Sequence, residues 1–285
     1  MAIKLQRKVN TAASYLLRPN TYPFLMRLIK TKIVGGSMSL EQTQEKASDW
    51  CQRQAITTEE AIQRITGKKC ITPIRSIFES VFEQAEARVA QCPQKMGGAG
   101  NLDLIYTIAR HLNATQIIET GVAYGWSSLA ILLAISQQAA SQQVTSQEAS
   151  AHLVSTNLHY SRYGDDSYVG CAIPADLKPF WTLLKEGDRT ALPKALSILS
   201  EYDLCHYDSD KTYEGRMYAY PLLWQGLKIG SCFISDDIGD NLAFAHFCQM
   251  VKTRPIIVKM PSSMGEKYVG ILFKADNTPP RPIMF

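Results

Sequence analysis

The stretch that most limits what this chain can become is Ile117-Ile-Glu-Thr-Gly-Val-Ala-Tyr-Gly-Trp-Ser-Ser. It reads as strand, turn, helix: a short apolar strand from Gln116 to Glu119, a glycine turn, then a helix from Trp126 to about Ser136. Gly121 stands where the backbone must leave a buried strand sharply, and Gly125 lets the next helix begin close to a ligand. In doubly wound sheets, ligands bind at such corners, just beyond the carboxyl ends of the strands. The spacing is not G-x-G-x-x-G, and it is not the phosphate-gripping G-x-x-x-x-G-K-[ST].

The same alternation continues on both sides of this corner. Asn101 can cap a helix running to about Leu112, with Leu104, Ile105, Ile108 and Leu112 facing inward. Leu153–Thr156, Tyr202–Tyr207 and Ser231–Ser235 are further strand candidates, with a helix from Thr212 to about Gln225 between the last two. Pro255-Ile-Ile-Val-Lys and Lys267-Tyr-Val-Gly-Ile-Leu-Phe close the pattern as two strands joined by a Pro/Ser/Gly turn. Strands separated by helices predict an α/β domain with a mostly parallel sheet, and the closing pair predicts an antiparallel edge. Residues 1–95 have a different texture and read as a helical cap. Thr57-Thr-Glu-Glu looks like a helix start, and Ile74–Ala90 places Ile77, Val81, Phe82 and Ala85 on one helical face. Met96-Gly-Gly-Ala-Gly breaks that texture, so the expected boundary separates a 1–95 arm and cap from a 96–285 domain. Residues 137–150 are polar and of low complexity, as in a surface excursion.

Composition narrows the class. Hydrophobic residues make up 46% and charged residues 20%, which excludes a disordered chain. No uninterrupted apolar run reaches membrane-spanning length. The net charge of +4 is unevenly spread: residues 1–40 hold seven basic residues and no acid, so the remainder is slightly acidic. A nucleic-acid binder carries its basic surface on the main domain, so nucleic acid is not an expected partner. Seven cysteines without a C-x-x-C pair support neither a zinc site nor a disulfide framework, and point to a reducing cytoplasm. The N-terminus lacks an apolar core followed by a cleavage site, so no secretory signal is expected. Its basic, apolar composition suits an amphipathic arm docking on a second subunit, with a transit peptide or a membrane-surface helix as alternatives.

Two strand candidates end in carboxylates: Tyr202-Asp-Leu-Cys-His-Tyr-Asp-Ser-Asp-Lys and Cys232-Phe-Ile-Ser-Asp-Asp. If those strands are neighbours, Asp208, Asp236 and Asp237 emerge on one rim. Gathered carboxylates repel unless something neutralises them, and a hard divalent cation such as Mg²⁺ does so with oxygen ligands. Helix caps and turn acids are the alternative use of these aspartates. Lys211, three residues past Asp208, opposes the helix dipole where it stands. It could take a proton from a reacting hydroxyl, or it could be a solvated lysine paired with Asp208 or Asp210. Glu119 at the glycine corner disfavours a phosphate and suits a cation or a set of hydroxyls, both of which S-adenosylmethionine offers.

Glu119-Thr-Gly-Val-Ala-Tyr-Gly-Trp-Ser resembles motif I of class I S-adenosylmethionine-dependent methyltransferases, above all the cation-dependent O-methyltransferases of the catechol and caffeoyl-CoA type. Asp208-Ser-Asp-Lys resembles their Asp-x-x-Lys segment, and Asp236-Asp237 begins 28 residues further on, about where that family carries an Asp-Asn metal pair. Asp210-Lys-Thr-Tyr-Glu-Gly and Leu227-Lys-Ile-Gly-Ser resemble a bacterial branch. The resemblance covers about residues 96–275. It implies a Rossmann-like seven-stranded sheet and a set of roles. Glu119, Gly121 and Ser127 would bind the methionine end and backbone of the cofactor. Asp210 would lie near it, and Asp188, in the turn after the third strand, near the adenine. Asp208, Asp236 and Asp237 would hold the cation, and Lys211 would act as base.

The chain departs from the family in two places. Asn157 stands where an acid should grip the ribose hydroxyls, and Asp237 replaces the usual Asn. The expected activity is methyl transfer to a hydroxyl of a small molecule, such as a catechol-like ring, a sugar diol or a natural-product intermediate, by a homodimer formed through the N-terminal arm. Two rivals stay open: a cation-binding relative with other chemistry, as in the cephalosporin hydroxylases, and a non-catalytic assembly subunit.

Overall fold

The computed structural model describes residues 40–93, 95–141, 151–158, 166–262, 265–277 and 280. The basic arm at 1–39, for which a dimer contact is expected, lies outside the described residues, as do 142–150 of the polar stretch and the turn at 263–264.

An eight-stranded sheet organises the described residues. Its members are β1 (Ala55–Ile56), β2 (Gln116–Thr120), β3 (His152–Thr156), β4 (Trp181–Leu184), β5 (Tyr202–Tyr207), β6 (Leu227–Ser235), β7 (Ile256–Ser262) and β8 (Gly265–Phe273). Their order is β1-β7-β8-β6-β5-β2-β3-β4. Every pairing is parallel except those of β8, which runs antiparallel to both β6 and β7. The expected antiparallel pair is therefore present, with β8 inside the sheet. The eighth strand beyond the expected seven is β1, two residues added alongside β7.

Helices cover both faces, and the strand alternation shows which side chains meet them. Ile117, Leu204, Cys232 and Ile234 point into one core with α4 (Glu79–Ala90), α5 (Leu102–His111) and α6 (Trp126–Ser141). Ile118, Cys205 and Phe233 point into the other, with α7 (Asp188–Ile198), α8 (Tyr213–Gly226) and α9 (Ala243–Met250). A strand buried on both faces carries apolar residues at successive positions, as at Ile117-Ile118, Leu204-Cys205 and Cys232-Phe233-Ile234, which makes β2, β5 and β6 legible.

The cap comprises α1 (Leu40–Gln52), α2 (Thr58–Thr66) and α3 (Ile74–Ile77), followed by α4. Thr57 starts α2 with a capping box: Glu60 N donates to Thr57 Oγ1 at 3.2 Å, and Thr57 N donates to Glu60 Oε2 at 2.9 Å. The single helix expected over 74–90 is instead broken at Phe78, whose φ of −125° is non-helical. The break turns Ile77 outward, to 41% exposure, while Phe82 and Ala85 stay buried. No described helix is long and apolar enough to cross a membrane.

Candidate active site

The chain leaves β2 toward β3 and β4 on one side, and β5 and β6 lie on the other, so the strand order reverses beside β2. Register then lines up the strand ends: Thr156 pairs with Thr120, Thr120 with Tyr207, and Tyr207 with Ser235. One residue further on stand Asn157, Gly121, Asp208 and Asp236. Each still donates its backbone N–H to the neighbouring strand: Gly121 to Thr156 O at 2.8 Å, Asp208 to Thr120 O at 2.9 Å and Asp236 to Tyr207 O at 3.0 Å. The sheet thus delivers a glycine corner and two carboxylates to adjacent places on one rim.

Gly121 has φ +83°, and a Cβ there would lie 2.2 Å from the backbone oxygen of Asp208. The glycine is demanded by the approach of the β5 loop as well as by the turn. Asn157 does not stand free for a ribose. Its Oδ1 accepts from Val122 N at 2.9 Å and Ala123 N at 3.1 Å, and its Nδ2 donates to Leu158 O at 2.8 Å. The amide ties the glycine turn to the end of β3. Glu119 is likewise turned inward and fully buried. It accepts from Ser127 Oγ at 2.6 Å, from Ser155 Oγ at 2.8 Å and from Ser128 Oγ. Ser127, expected at the cofactor, spends its hydroxyl on this carboxylate.

Asp188 begins α7 and accepts from Ser209 Oγ at 2.7 Å and Tyr207 Oη at 3.0 Å, which binds the loop after β4 to the loop after β5. Asp210 accepts from Thr212 N at 3.0 Å and Thr212 Oγ1 at 2.7 Å, ahead of the α8 cap. Its carboxyl group occupies the space where a Cβ on Gly215 would lie.

The three candidate metal ligands divide. Asp208 Oδ1 and Asp236 Oδ1 are buried oxygens without a hydrogen-bond partner. Burial and the nearby Asp236 carboxylate push the Asp208 carboxyl upward, against the opposing pull of Lys211 and His206. Such strained, oxygen-only donors fit a hard cation. Asp237 sits in a left-handed turn at φ +52° and faces two ammonium groups instead. Lys211 Nζ contacts its Oδ2, and Lys267 Nζ contacts its Oδ1 at 2.9 Å. Burial opposes its charge, but these lysines outweigh it and hold the carboxyl below its usual range. Among the described residues, no group of three histidine, cysteine or acidic side chains is gathered as for a metal. Lys211 Nζ also lies 3.3 Å from Asp208 Oδ1. Burial disfavours its charge, yet Asp208 and Asp237 raise its proton affinity, so it stands as an ammonium.

Sequence reading overlooked three residues here. Lys267, on β8, is one partner of Asp237. Arg216, on α8 and only 1% exposed, donates through Nη2 to Asp237 O at 2.9 Å and Asp236 O at 3.2 Å, and so holds the turn that carries both aspartates. Its signal was a lone cation on the helical face it shares with Tyr220 and Leu223. His206, buried on β5, has Nδ1 at 3.4 Å from Glu119 Oε1 and Nε2 at 3.7 Å from Asp236 Oδ1. Burial works against its charge, but Asp236 and Glu119 raise the imidazole to about 10. Above the rim, the glycine-rich segment crosses so closely that a Cβ on Gly100 would lie 3.2 Å from Asp236 Oδ2.

Comparison with known proteins bears on the fold that carries these residues. Residues 118–238 match the family model for a methyltransferase domain. Three solved structures share the fold. An O-methyltransferase from Bacillus cereus in complex with SAH superposes with a TM-score of 0.51 at 11% identity, over 79% of this chain and 100% of that one. The O-methyltransferase TomG from Streptomyces achromogenes, involved in tomaymycin synthesis and in complex with SAM, gives 0.51 at 14% identity, over 84% and 100%. Cofactor-bound Rv0187 from MTB gives 0.53 at 12% identity, over 74% and 100%. No curated protein matches the chain significantly in sequence. Residues 118–238 are thus similar to a methyltransferase domain, and the chain has the fold of these solved methyltransferase structures.

Proposed function

We propose that this protein is an S-adenosylmethionine-dependent O-methyltransferase that methylates a hydroxyl of a small molecule with the aid of a divalent cation, Mg²⁺ being the candidate. The observation that carries the reading is the rim itself. Gly121, Asp208 and Asp236 leave three adjacent strands at one level, and two carboxylate oxygens there are buried without a hydrogen bond, met only by the charges of Lys211 and His206. Asp208 and Asp236 would hold the cation. When bound, S-adenosylmethionine supplies an electrophilic methyl group and the cation supplies charge that favours the deprotonated hydroxyl.

The chain's own residues prepare the site. Asn157 fixes the glycine turn, and Glu119 with its three serine donors anchors that turn to β3 and α6. Arg216 fixes the turn bearing Asp236. Lys211 brings a positive charge to the rim, where it would steady negative charge on the reacting oxygen. Drawn away from Asp208 it would hold its proton less tightly; once it had released that proton to solvent, the neutral amine could accept the one on the substrate hydroxyl. The remaining expectations, a homodimer formed through the N-terminal arm and a cytoplasmic location, stand as part of the same proposal.

Calorimetric titration of the full chain with S-adenosylhomocysteine, with and without EDTA, tests the reading. Binding of the cofactor product with added Mg²⁺ supports it. Absence of binding under both conditions overturns it in favour of a non-catalytic subunit.

A further inference from the structure

His206 belongs to neither the glycine turn nor the aspartate pair, yet it touches both. It sits on β5 with 1% exposure, at the sheet level of Glu119, its register partner on β2. Its Nδ1 faces Glu119 Oε1 at 3.4 Å and its Nε2 faces Asp236 Oδ1 at 3.7 Å, an ion-pair separation just beyond a hydrogen bond. His206 Nε2 and Asp236 Oδ1 are both buried and lack any hydrogen-bond partner, so each is the nearest complement of the other. Glu119 is already braced by serines on α6 and β3, which makes it the fixed end of the line. The movable end is Asp236.

We propose that His206 is a positioning residue that orients the Asp236 carboxylate toward the cation, using Glu119 as its anchor. The inference rests on the proposed cation site. It gives the buried Glu119 carboxylate a task in the cation half of the site. Groups behind a metal ligand commonly fix its orientation, and their loss weakens metal binding without removing a ligand.

The two amide replacements separate the two ring nitrogens. Asn places its amide nitrogen near the position of Nδ1, facing Glu119; Gln reaches toward the position of Nε2, facing Asp236. The full-chain protein is titrated with Mn²⁺ alone, followed by electron paramagnetic resonance, and separately with S-adenosylhomocysteine. The expected result is that His206→Asn weakens Mn²⁺ binding roughly 10-fold or more, with cofactor-product affinity unchanged, and that His206→Gln restores most of the loss. Wild-type Mn²⁺ affinity in His206→Asn overturns the inference, as does a parallel loss of both affinities in both variants, which would mark a merely structural residue. A wild-type protein that binds no Mn²⁺ overturns the cation reading itself, and this inference with it. A measurement on the unmutated chain covers the case in which neither variant folds. Adding Mg²⁺ should shift the imidazole nitrogen resonances of His206, Nε2 more than Nδ1, and unshifted resonances in a protein that binds Mg²⁺ overturn the proposal.

Discussion

The backbone carbonyl of Asp208 fills the space in front of Gly121, so that a methyl group on the glycine would lie 2.2 Å from that oxygen. The same residue has φ +83°, where any side chain is strained. Gly121→Ala should therefore destabilise the fold by about 2–5 kcal/mol, combining left-handed strain with overpacking. The family resemblance gives Gly121 a place beside the cofactor backbone. The contact instead predicts that the loop carrying Asp208 is displaced, so cation and cofactor affinity should fall together. Urea denaturation and the two titrations check this, and a variant with wild-type midpoint would contradict it.

Asn157 gives a second prediction that reverses a sequence-based expectation. By the family resemblance Asn157 stands where an acid grips the ribose, and on that placement alone an aspartate would strengthen the grip. In the fold its amide nitrogen donates to Leu158 O, while its oxygen receives Val122 N and Ala123 N. An aspartate keeps the two acceptances but sets a carboxylate against the Leu158 carbonyl. Asn157→Asp should cost about 1 kcal/mol of stability, and Asn157→Ala, which leaves two backbone N–H groups without partners, about 2–4 kcal/mol. Thermal melts of both variants give the order. Calorimetry should show S-adenosylhomocysteine affinity no tighter than wild type in either.

These two cases show what the sequence carried and what it could not. Strands such as Tyr202–Tyr207 announce themselves because both faces are buried, and the aspartates were legible because they stand at strand ends. The two-residue β1 has no pattern to read; only its pairing with Ile257 and Val258, some two hundred positions away, makes it a strand. The break at Phe78 was hidden because the apolar spacing of 74–90 continues across it. Within the site, residue types located the rim but not the partners. Whether Asp237 meets a cation or two lysines depends on β8 bringing Lys267 alongside, and whether Asn157 is free depends on how the glycine turn folds back.

At the opposite ends of the strands, Asp203 supports a prediction about acid. Its Oδ2 accepts from Thr115 N at 2.9 Å and Gln116 N at 3.0 Å, and its Oδ1 receives Lys228 Nζ at 2.7 Å. Burial opposes the charge, but Lys228 and the two backbone donors outweigh it, so the folded carboxyl lies below its usual range. A depressed acid contributes stability above its unfolded value, near 3.9, and loses that contribution as pH falls through the lower folded value. Stability should therefore drop on acidification below about pH 4, and Asp203→Asn should flatten that part of the profile while costing about 2 kcal/mol at neutral pH. Denaturation midpoints across this pH range decide it, and parallel profiles for the two proteins would contradict it.

Lys274, at 3% exposure, gives its ammonium hydrogens to backbone carbonyls. It donates to the carbonyls of Leu227 at 2.6 Å, Trp224 at 2.9 Å and Gln225 at 3.2 Å, closing the C-terminus of α8 onto the start of β6. Lys274→Met should leave those carbonyls unsatisfied and cost about 2–4 kcal/mol. Because Lys274 binds the start of β6 at Leu227 whereas Asp236 follows the far end of that strand, cofactor-product affinity should be unaffected, which calorimetry on the folded variant measures.

The aspartates of the rim should not respond alike. Asp208 and Asp236 each keep a buried oxygen without a hydrogen bond, Asp208 sharing Lys211 at 3.3 Å, whereas both oxygens of Asp237 meet lysines. Removing charge from a ligand removes cation affinity directly, but removing it from Asp237 releases Lys211 and Lys267. Asp208→Asn and Asp236→Asn should then weaken Mg²⁺ binding far more than Asp237→Asn does. In the latter, the freed Lys211 ammonium turns wholly toward Asp208, 3.3 Å away, and competes with the cation there. That competition is electrostatic and limits the loss in Asp237→Asn to roughly 10-fold. Lys211→Met in the Asp237→Asn background should restore part of the affinity, because it removes the competing charge. Isothermal titration of Mg²⁺ into the four variants supplies the comparison. Equal losses for all three aspartates, with no recovery from Lys211→Met, would mean that Asp237 is a ligand on the same footing as the other two and that its lysine pairs give way on binding.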